Sequence, residues 1–226
     1  MPTDAPPGGW PDESPFVAAH FRCDDERDDA LFYQEPRLVT HIDDAAIAAL
    51  RAHYARIFPA RASVLDLMSS HVSHFPARLA PSRAAGLGMN AEELAANPAL
   101  TEWVVHDLNA DPALPYDGAS FDVVTIAVSV QYLRQPLSVF REIGRVLKPG
   151  GICSVAFSNR CFPPKVVALW SATGDRGHAQ VVTAYFHYAG GFGEAETIDL
   201  SPDPRRSDPL YVVQARRPGG ERVSGP

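Results

Sequence analysis

An acidic side chain and two histidines lie close together in one short segment of the sequence. Asp66 stands within an apolar run, and His71 and His74 follow it. An imidazole changes charge near neutral pH, so either histidine could act as a general base that removes a proton from a reacting hydroxyl or amine. Tyr132 follows a later apolar run and could serve the same site. The alternative for each histidine is a solvated or turn-stabilising role in a loop.

The two histidines also raise the question of a metal site. Only Asp66 stands nearby as a third ligand and no cysteine joins them, so we expect no bound metal. Cys23, Cys153 and Cys161 are odd in number and lack Cys-x-x-Cys spacing, which supports neither a disulfide framework nor a zinc ribbon. We therefore predict free thiols, as in a reducing cytoplasm.

Length and composition are those of one globular domain. The chain has 226 residues, 46% of them hydrophobic and 21% charged, and a formal net charge of −7. It lacks the clustered Lys and Arg that bind a nucleic-acid backbone. No stretch approaches the ~20 apolar residues of a membrane span, and the start of the sequence shows no basic segment followed by an apolar run. We expect a soluble, cytoplasmic protein that binds neither nucleic acid nor membrane; the oligomeric state stays open.

Apolar runs that alternate with helical patterns predict a sheet of seven strands. The longest run, Phe121–Ser129, should lie centrally, where both faces of the sheet are covered. Strands separated by helices imply right-handed crossovers, so we predict a Rossmann-like α/β fold with a mostly parallel sheet, helices on both faces and a last strand that could be antiparallel. The other predicted strands are Ser63–Leu67, Arg83–Gly88, Trp103–His106, Ile152–Ser158, Glu194–Leu200 and Leu210–Ala215.

Capping signals predict where two of the helices begin and end. Asp43 or Asp44 should cap a helix that stops before Pro59. Asn90 with Glu93 forms a capping-box pattern at the start of a short helix, in which each side chain would bond to the other residue's backbone N–H.

Five short motifs follow one another along the predicted strands. They are Val64–Leu67, Ala85–Asn90, His106–Leu108, Ser120–Val124 and Arg145–Gly151. In order and spacing they resemble the successive motifs of class I S-adenosylmethionine-dependent methyltransferases, in particular the broad type 11 methyltransferase domain group, over roughly residues 43 to 215. The last two motifs are the most specific. The resemblance implies S-adenosylmethionine as cofactor and a small-molecule acceptor of the methyl group.

The resemblance also implies cofactor contacts at individual positions. Asp66 would hold the cofactor's ammonium group, Asp107 would meet the adenine amino group, and Leu108 would lie beside it. Further contacts would come from the loop residues Met68, Ser69 and Ser70, from Gly88, Met89 and Asn90 after the second strand, and from Ser129 after the fourth.

Two positions depart from the family pattern. The family's first loop is Gly-x-Gly-x-Gly, whereas residues 68–73 here contain no glycine. The family places an acidic residue for the two ribose hydroxyls where this chain has Gly88, and Asn90 could be a neutral substitute. Losing an ionised acceptor gives up roughly 1.5–3 kcal/mol, about ten- to hundredfold in affinity. A catalytically degenerate, methyltransferase-like binding or scaffold module is therefore the main alternative.

Other enzyme classes have less support from the sequence. A nicotinamide-dependent oxidoreductase would need a Gly-x-Gly-x-x-Gly loop after the first strand, and none is there. Similar enzymes that methylate nucleobase amino groups carry an Asn/Asp-Pro-Pro-Tyr tetrad where this chain has residues 129–132, Ser-Val-Gln-Tyr.

We divide the chain into a flexible tail (1–15), a lead-in or lid segment (16–44), the methyltransferase-like domain (45–217) and a second flexible tail (218–226). The segment before the first strand often covers the site in the family, so Tyr33, Arg37 and His41 could do so here. Arg37 would suit a carboxylate of the cofactor or the substrate. Plain packing is the alternative for these three side chains.

Overall fold

The computed structural model describes residues 10–76, 78–203 and 205–219. Its strands are β1 Ser63–Leu67, β2 Arg83–Gly88, β3 Glu102–Val105, β4 Phe121–Ala127, β5 Leu147–Phe157, β6 Glu196–Asp199 and β7 Tyr211–Arg216. They form one seven-stranded sheet in the order β3-β2-β1-β4-β5-β7-β6. Strands β1 to β5 pair in parallel, and β7 is antiparallel to both β5 and β6. The predicted Rossmann-like, mostly parallel sheet is confirmed.

Helices cover both faces of the sheet. They are α1 Asp29–Phe32, α2 Asp44–Ile57, α3 Ala91–Ala95, α4 Pro136–Val146, α5 Ala168–Ser171 and α6 Asp175–Ala189. Asp43 caps α2 by accepting a hydrogen bond from the Ala46 N–H, as its sequence position predicts. Apolar residues pack in two clusters, one between the sheet and α4 and α6, the other between the sheet and α2. Neighbouring residues such as Val64 and Leu65 belong to different clusters, because successive side chains of a strand point to opposite faces.

The strand order reverses between β1 and β4. From β1 the chain continues outward to β2 and β3 on one side, and β4 starts the other half of the sheet next to β1. In open α/β sheets this switch leaves a crevice beyond the carboxyl ends of the strands, where ligands bind. The residues that follow β1, β2, β3 and β4 therefore border the candidate site.

The end of β4 differs from the sequence prediction for a local reason, whereas β1 ends at Leu67 as predicted. The fourth strand stops at Ala127, not Ser129, because Val128 has a φ of 57°. Met68, directly after β1, has a φ of 54°. Non-glycine residues rarely occupy this left-handed region, and for β-branched valine it is strained. Both strands at the switch thus turn sharply away from the sheet at their carboxyl ends.

The predicted tails lie mostly outside the described residues, which begin at 10 and end at 219. Within the described part, the Trp10 ring stacks on the His187 ring at 5.4 Å between centroids. The Tyr188 hydroxyl donates to the Pro11 carbonyl oxygen over 3.0 Å. The division at residue 15 stays a prediction.

Candidate functional site

A cavity of about 600 Å³ lies at the carboxyl ends of the strands around the switch. Its volume is within the ~300–1,000 Å³ typical of small-molecule sites. Residues of the lead-in segment, from Asp29 to Asp43, form one wall. The predicted site residues in its lining are Asp66, Met68, Ser69, Ser70, His74, Gly88, Met89, Asn90, Asp107, Leu108, Ser129 and Tyr132.

His71 is the predicted site residue that does not line the cavity. Its Nδ1 atom lies 3.3 Å from the Oγ atom of Ser70, its neighbour in the loop after β1. A direct contact between His71 and a ligand in this cavity is therefore not supported. The role of His71 stays a prediction, because spacing in the sequence does not reveal how the loop turns after the left-handed residue Met68.

Asp66 is a buried carboxylate that accepts hydrogen bonds from hydroxyl groups. One of its oxygens accepts a hydrogen bond from Ser69 Oγ and the other from Thr125 Oγ1, each over 2.7 Å. Burial raises the pKa of Asp66 from 3.8 to about 6, and the hydroxyls of Ser69, Thr125 and Ser73 oppose that rise. None of these neighbours is a cation. A positively charged ligand group would therefore be stabilised next to Asp66.

The loop after β1 folds over the end of β2. The Ser69 N–H donates to the Leu87 carbonyl oxygen over 2.8 Å, which fixes the Ser69 peptide against β2. A Cβ atom at Gly88 would overlap the Ser69 carbonyl oxygen and would also crowd Leu94. Position 88 thus requires glycine in this fold, and an acidic side chain cannot be accommodated there.

Asn90 does not substitute for that missing acid. Its Oδ1 atom accepts the N–H groups of Glu92 and Glu93, and its amide nitrogen donates to the carbonyl oxygens of Tyr33 and Gln34, all over about 3 Å. The side chain therefore caps α3 and ties the lead-in segment to it. These hydrogen bonds contradict the interpretation of Asn90 as a ribose acceptor, because its polar atoms are already engaged.

Glu93 is a cavity residue that the sequence analysis treated only as part of a helix cap. The side chain does not reach back to the Asn90 N–H as a full capping box would. It accepts instead from Ser70 Oγ over 2.6 Å and from the Arg37 N–H over 2.7 Å, and it is 9% exposed. No sequence signal distinguished this orientation from a capping box.

Asp107 and Leu108 follow β3 and also line the cavity. The Asp107 Oδ1 atom accepts the Asn109 N–H over 2.8 Å, which makes an Asx turn. Leu108 is buried, with 4% of its surface exposed. The half-buried Asp107 thus combines a turn-forming oxygen with a second oxygen that is available to a ligand.

Two candidate proton acceptors lie in the cavity wall. His74 has a φ of 53° and its Nδ1 atom is buried without a hydrogen-bond partner in the described residues. Burial lowers the pKa of His74 to about 4, so its imidazole is neutral near pH 7. The Tyr132 hydroxyl accepts the Phe162 N–H over 2.8 Å, and burial raises its pKa to about 12. The Ser129 hydroxyl oxygen, also in the lining, is buried and unpartnered in this part of the chain.

The lead-in segment is attached to the domain by a buried lysine. Lys165 is 3% exposed, pairs with the Asp29 carboxylate over 2.8 Å and donates to the carbonyl oxygens of Asp25 and Arg27. The same carboxylate accepts from the Asn109 amide nitrogen over 2.9 Å. Asp29 therefore connects the segment to loops on two sides of the cavity.

Arg37 brings a positive charge to the cavity wall. Its guanidinium group lies 4.6 Å from the ring centroid of Phe32 and 5.2 Å from that of Phe162, and one of its nitrogens donates to the Phe32 carbonyl oxygen. The Nη1 atom is buried without an acceptor in the described chain. This arrangement suits the carboxylate that the sequence analysis suggested for Arg37.

Comparisons with known proteins agree with this architecture. A family model described as a methyltransferase domain matches residues 71–155. An S-adenosylmethionine-dependent methyltransferase from Mesorhizobium loti has a TM-score of 0.53 at 17% identity, over 75% of this chain and 98% of that one. Haemonchus contortus phosphoethanolamine N-methyltransferase 2, in complex with phosphomonomethylethanolamine and S-adenosylhomocysteine, has a TM-score of 0.50 at 16% identity, over 76% and 52%. This is a class I methyltransferase fold.

A curated relative matches this chain over a short segment. Demethylmenaquinone methyltransferase from Lactococcus lactis subsp. lactis (strain IL1403) is 54% identical over 39 residues. Those residues are 17% of this chain and 16% of the relative, so the match covers about a sixth of that protein. The family resemblance drawn from the sequence motifs is confirmed by these findings together with the sheet order.

The cysteines, possible metal ligands and long helices of the described residues add three further findings. Cys23, Cys153 and Cys161 are free thiols. Among residues 10–76, 78–203 and 205–219, no three His, Cys, Asp or Glu side chains are grouped as a metal site would need. In the same ranges no helix has the length and apolar character needed to cross a membrane.

Proposed function

We propose that this protein transfers a methyl group from S-adenosylmethionine to a small molecule held in the cavity. The observation that carries the proposal is the buried Asp66 carboxylate, which lines a cavity at the β1–β4 switch and has only hydroxyls to meet its charge. A bound ammonium group would supply the missing positive charge. The family model and the sheet order support the same cofactor.

The groups around the cavity fit the separate parts of this cofactor. Asp66 suits an ammonium group, Arg37 a carboxylate, and the free oxygen of Asp107 an amino group on a flat ring. When bound, the cofactor supplies a methyl group on a positively charged sulfur, which an in-line displacement moves to the acceptor atom. The chain has to align the acceptor and exclude water, and such positioning can account for ~7–11 kcal/mol of the barrier. Asp29 and Lys165 hold the lead-in segment where it would exclude water.

His74 and Tyr132 remain the candidates for handling the acceptor's proton. The buried, neutral imidazole of His74 can accept a proton, but its pKa of about 4 makes it a weak base. The sequence analysis expected an imidazole that changes charge near neutral pH, whereas burial places the pKa of His74 well below that range. An activity that depends on His74 would therefore stay flat through neutral pH and decline only toward pH 4.

A small acceptor is supported by the size of the cavity and by the wall that the lead-in segment forms over it. The named relatives differ in what they methylate, a demethylmenaquinone in one and a phosphoethanolamine in another, so their likeness supports no particular acceptor. The three free thiols support a reducing, cytoplasmic location.

Calorimetric titration with S-adenosylhomocysteine and S-adenosylmethionine tests the proposed function before an acceptor is known. We expect dissociation constants in the micromolar range or weaker, since the loop at residues 68–73 lacks the glycines of the family. No heat at millimolar ligand would contradict the proposal and favour a degenerate binding module.

Changing Asp107 to asparagine should weaken S-adenosylhomocysteine binding about tenfold or more while the thermal midpoint stays within a few degrees. Asparagine keeps a carbonyl oxygen for the Asn109 N–H but removes the ionised acceptor. Asp111→Asn is the matched control, because Asp111 makes the same turn to the Ala113 N–H on the surface. If Asp107→Asn lowered the midpoint strongly and left the affinity unchanged, Asp107 would be a structural cap.

A further inference from the structure

We propose that Glu93 accepts the ribose hydroxyls of the bound cofactor. This inference rests on the proposed function and assigns one residue of the cavity to one part of the ligand. Glu93 is carried by α3, one turn after the end of β2, and not by the strand end itself. At the family's acidic position this chain has Gly88, and the structure leaves no room for a side chain there.

The orientation of Glu93 is the first observation behind the assignment. In the sequence, Asn90 and Glu93 have the spacing of a capping box, in which the glutamate would turn back along its own helix. In the structure the carboxylate turns away from the helix end and lines the cavity. Its two oxygens are held there by separate donors, Ser70 Oγ and the Arg37 N–H.

The remaining hydrogen-bonding capacity of Glu93 is the second observation. An ionised carboxylate has about four acceptor positions, and the protein donors to Glu93 use two of them. Each oxygen therefore keeps a position for one more donor. Two adjacent hydroxyls on a sugar ring present two donors at the spacing that one carboxylate can accept. The thioether presents no donor, and the proposed function already assigns the ammonium group to Asp66 and the adenine amino group to Asp107.

The lack of another free polar side chain at the end of β2 is the third observation. Gly88 leaves the end of β2 without a side chain, because the Ser69 carbonyl oxygen occupies the position of a Cβ atom. Asn90, the other polar side chain at this strand end, is fully engaged by the cap and by the lead-in segment. Among the side chains just after β2, Glu93 is thus the one that brings a carboxylate to the cavity.

Deoxyribose analogues of S-adenosylhomocysteine test the assignment by calorimetry. Wild-type protein should bind S-adenosylhomocysteine about ten- to hundredfold more tightly than its 2′-deoxy or 3′-deoxy analogue, since a hydrogen bond to a charged group is lost. Glu93→Gln should bind the parent ligand more weakly and discriminate less than about threefold between parent and analogue. Glu92→Gln, a neighbouring change on the exposed side of α3, should behave as wild type.

The outcomes separate the inference from the proposed function. If Glu93→Gln weakens parent and analogues equally and keeps the discrimination, Glu93 only supports the loop and the lead-in segment, and the assignment is wrong. The same conclusion follows if the wild type binds S-adenosylhomocysteine without discriminating the analogues. Absence of any binding by wild type would overturn the proposed function and this assignment together. Thermal midpoints measured for each variant show whether it is folded.

Discussion

Replacing Gly88 with alanine should destabilise the protein and disrupt ligand binding together. The added methyl group would overlap the Ser69 carbonyl oxygen, and that peptide cannot move freely because its N–H bonds to Leu87. Overpacking of this kind costs about 1–3 kcal/mol, which lowers the thermal midpoint of a domain this size by several degrees. The displaced loop carries Ser70, so S-adenosylhomocysteine affinity should fall at least about tenfold as well.

Thermal melting and calorimetry on Gly88→Ala check this result, with Gly118→Ala as the matched control. A Cβ atom at Gly118 would make only an ordinary contact with the Arg145 carbonyl oxygen, at 3.5 Å. That control should melt at or slightly above the wild-type temperature, because alanine loses less backbone entropy on folding. An unchanged midpoint for Gly88→Ala would mean that the loop after β1 does not cross the end of β2 as described.

The same contact reverses an expectation drawn from the sequence motif. If residue 88 simply faced a ribose, an aspartate there would restore the family's acid and tighten binding. The structure instead predicts that Gly88→Asp is at least as damaging as Gly88→Ala, since the larger side chain needs the same occupied space. The glycines missing from the first loop and the glycine present at position 88 are parts of one local arrangement. The bulkier loop after β1 lies over the end of β2, and the last residue of β2 therefore has no room for a side chain.

The sheet was predictable because its signals are local. Strands β1 and β2 begin and end where their apolar runs do, and Asp43 caps α2 where its type and position suggest. The end of β4 was predicted two residues too late, since nothing in an apolar run marks Val128 as left-handed. Such a turn is imposed by tertiary packing and not by the propensity of valine.

The site was predictable as a location but less so as a set of roles. Strand ends at a topological switch meet in three dimensions, so most predicted residues line the cavity. The hydrogen bonds that decide the roles of Asn90 and Glu93 join segments far apart in sequence, such as Glu93 to Arg37. The buried clamp between Lys165 and Asp29 joins segments that are even further apart. Neither spacing nor composition contains that information.

The contribution of Asp66 to the stability of the unliganded protein should be smaller at neutral pH than near pH 4. The difference between wild type and Asp66→Asn isolates it, because buried His74 changes stability in the opposite direction over this range. Because burial raises the pKa of Asp66 from 3.8 to about 6, the folded state holds a proton on this carboxyl more tightly than the unfolded state does. The contribution to stability is fully present below the unfolded pKa and is lost as the pH rises through the folded pKa. The loss across this window is about 3 kcal/mol at most.

Changing Asp66 to asparagine should therefore raise stability and lower affinity at pH 7. The free energy of unfolding should increase by about 1–3 kcal/mol, because a buried charge is removed while an oxygen remains for Ser69 or Thr125. Binding of S-adenosylhomocysteine should weaken about ten- to hundredfold, since the ammonium group loses its ionised partner. Wild-type affinity should also decline below about pH 6 as Asp66 takes up a proton, and the variant should lack this decline.

Denaturant unfolding from pH 4 to pH 8, with calorimetry at pH 5 and pH 7, measures these opposite changes. Asp117→Asn, an exposed carboxylate in a surface turn, is the control and should alter neither quantity. Stability and affinity that fall together in Asp66→Asn would show that the carboxylate mainly holds the loop through its hydroxyl partners. Stability that rises while affinity falls would mean that the protein keeps a destabilising buried charge at the β1–β4 switch because its ligand supplies the opposite one.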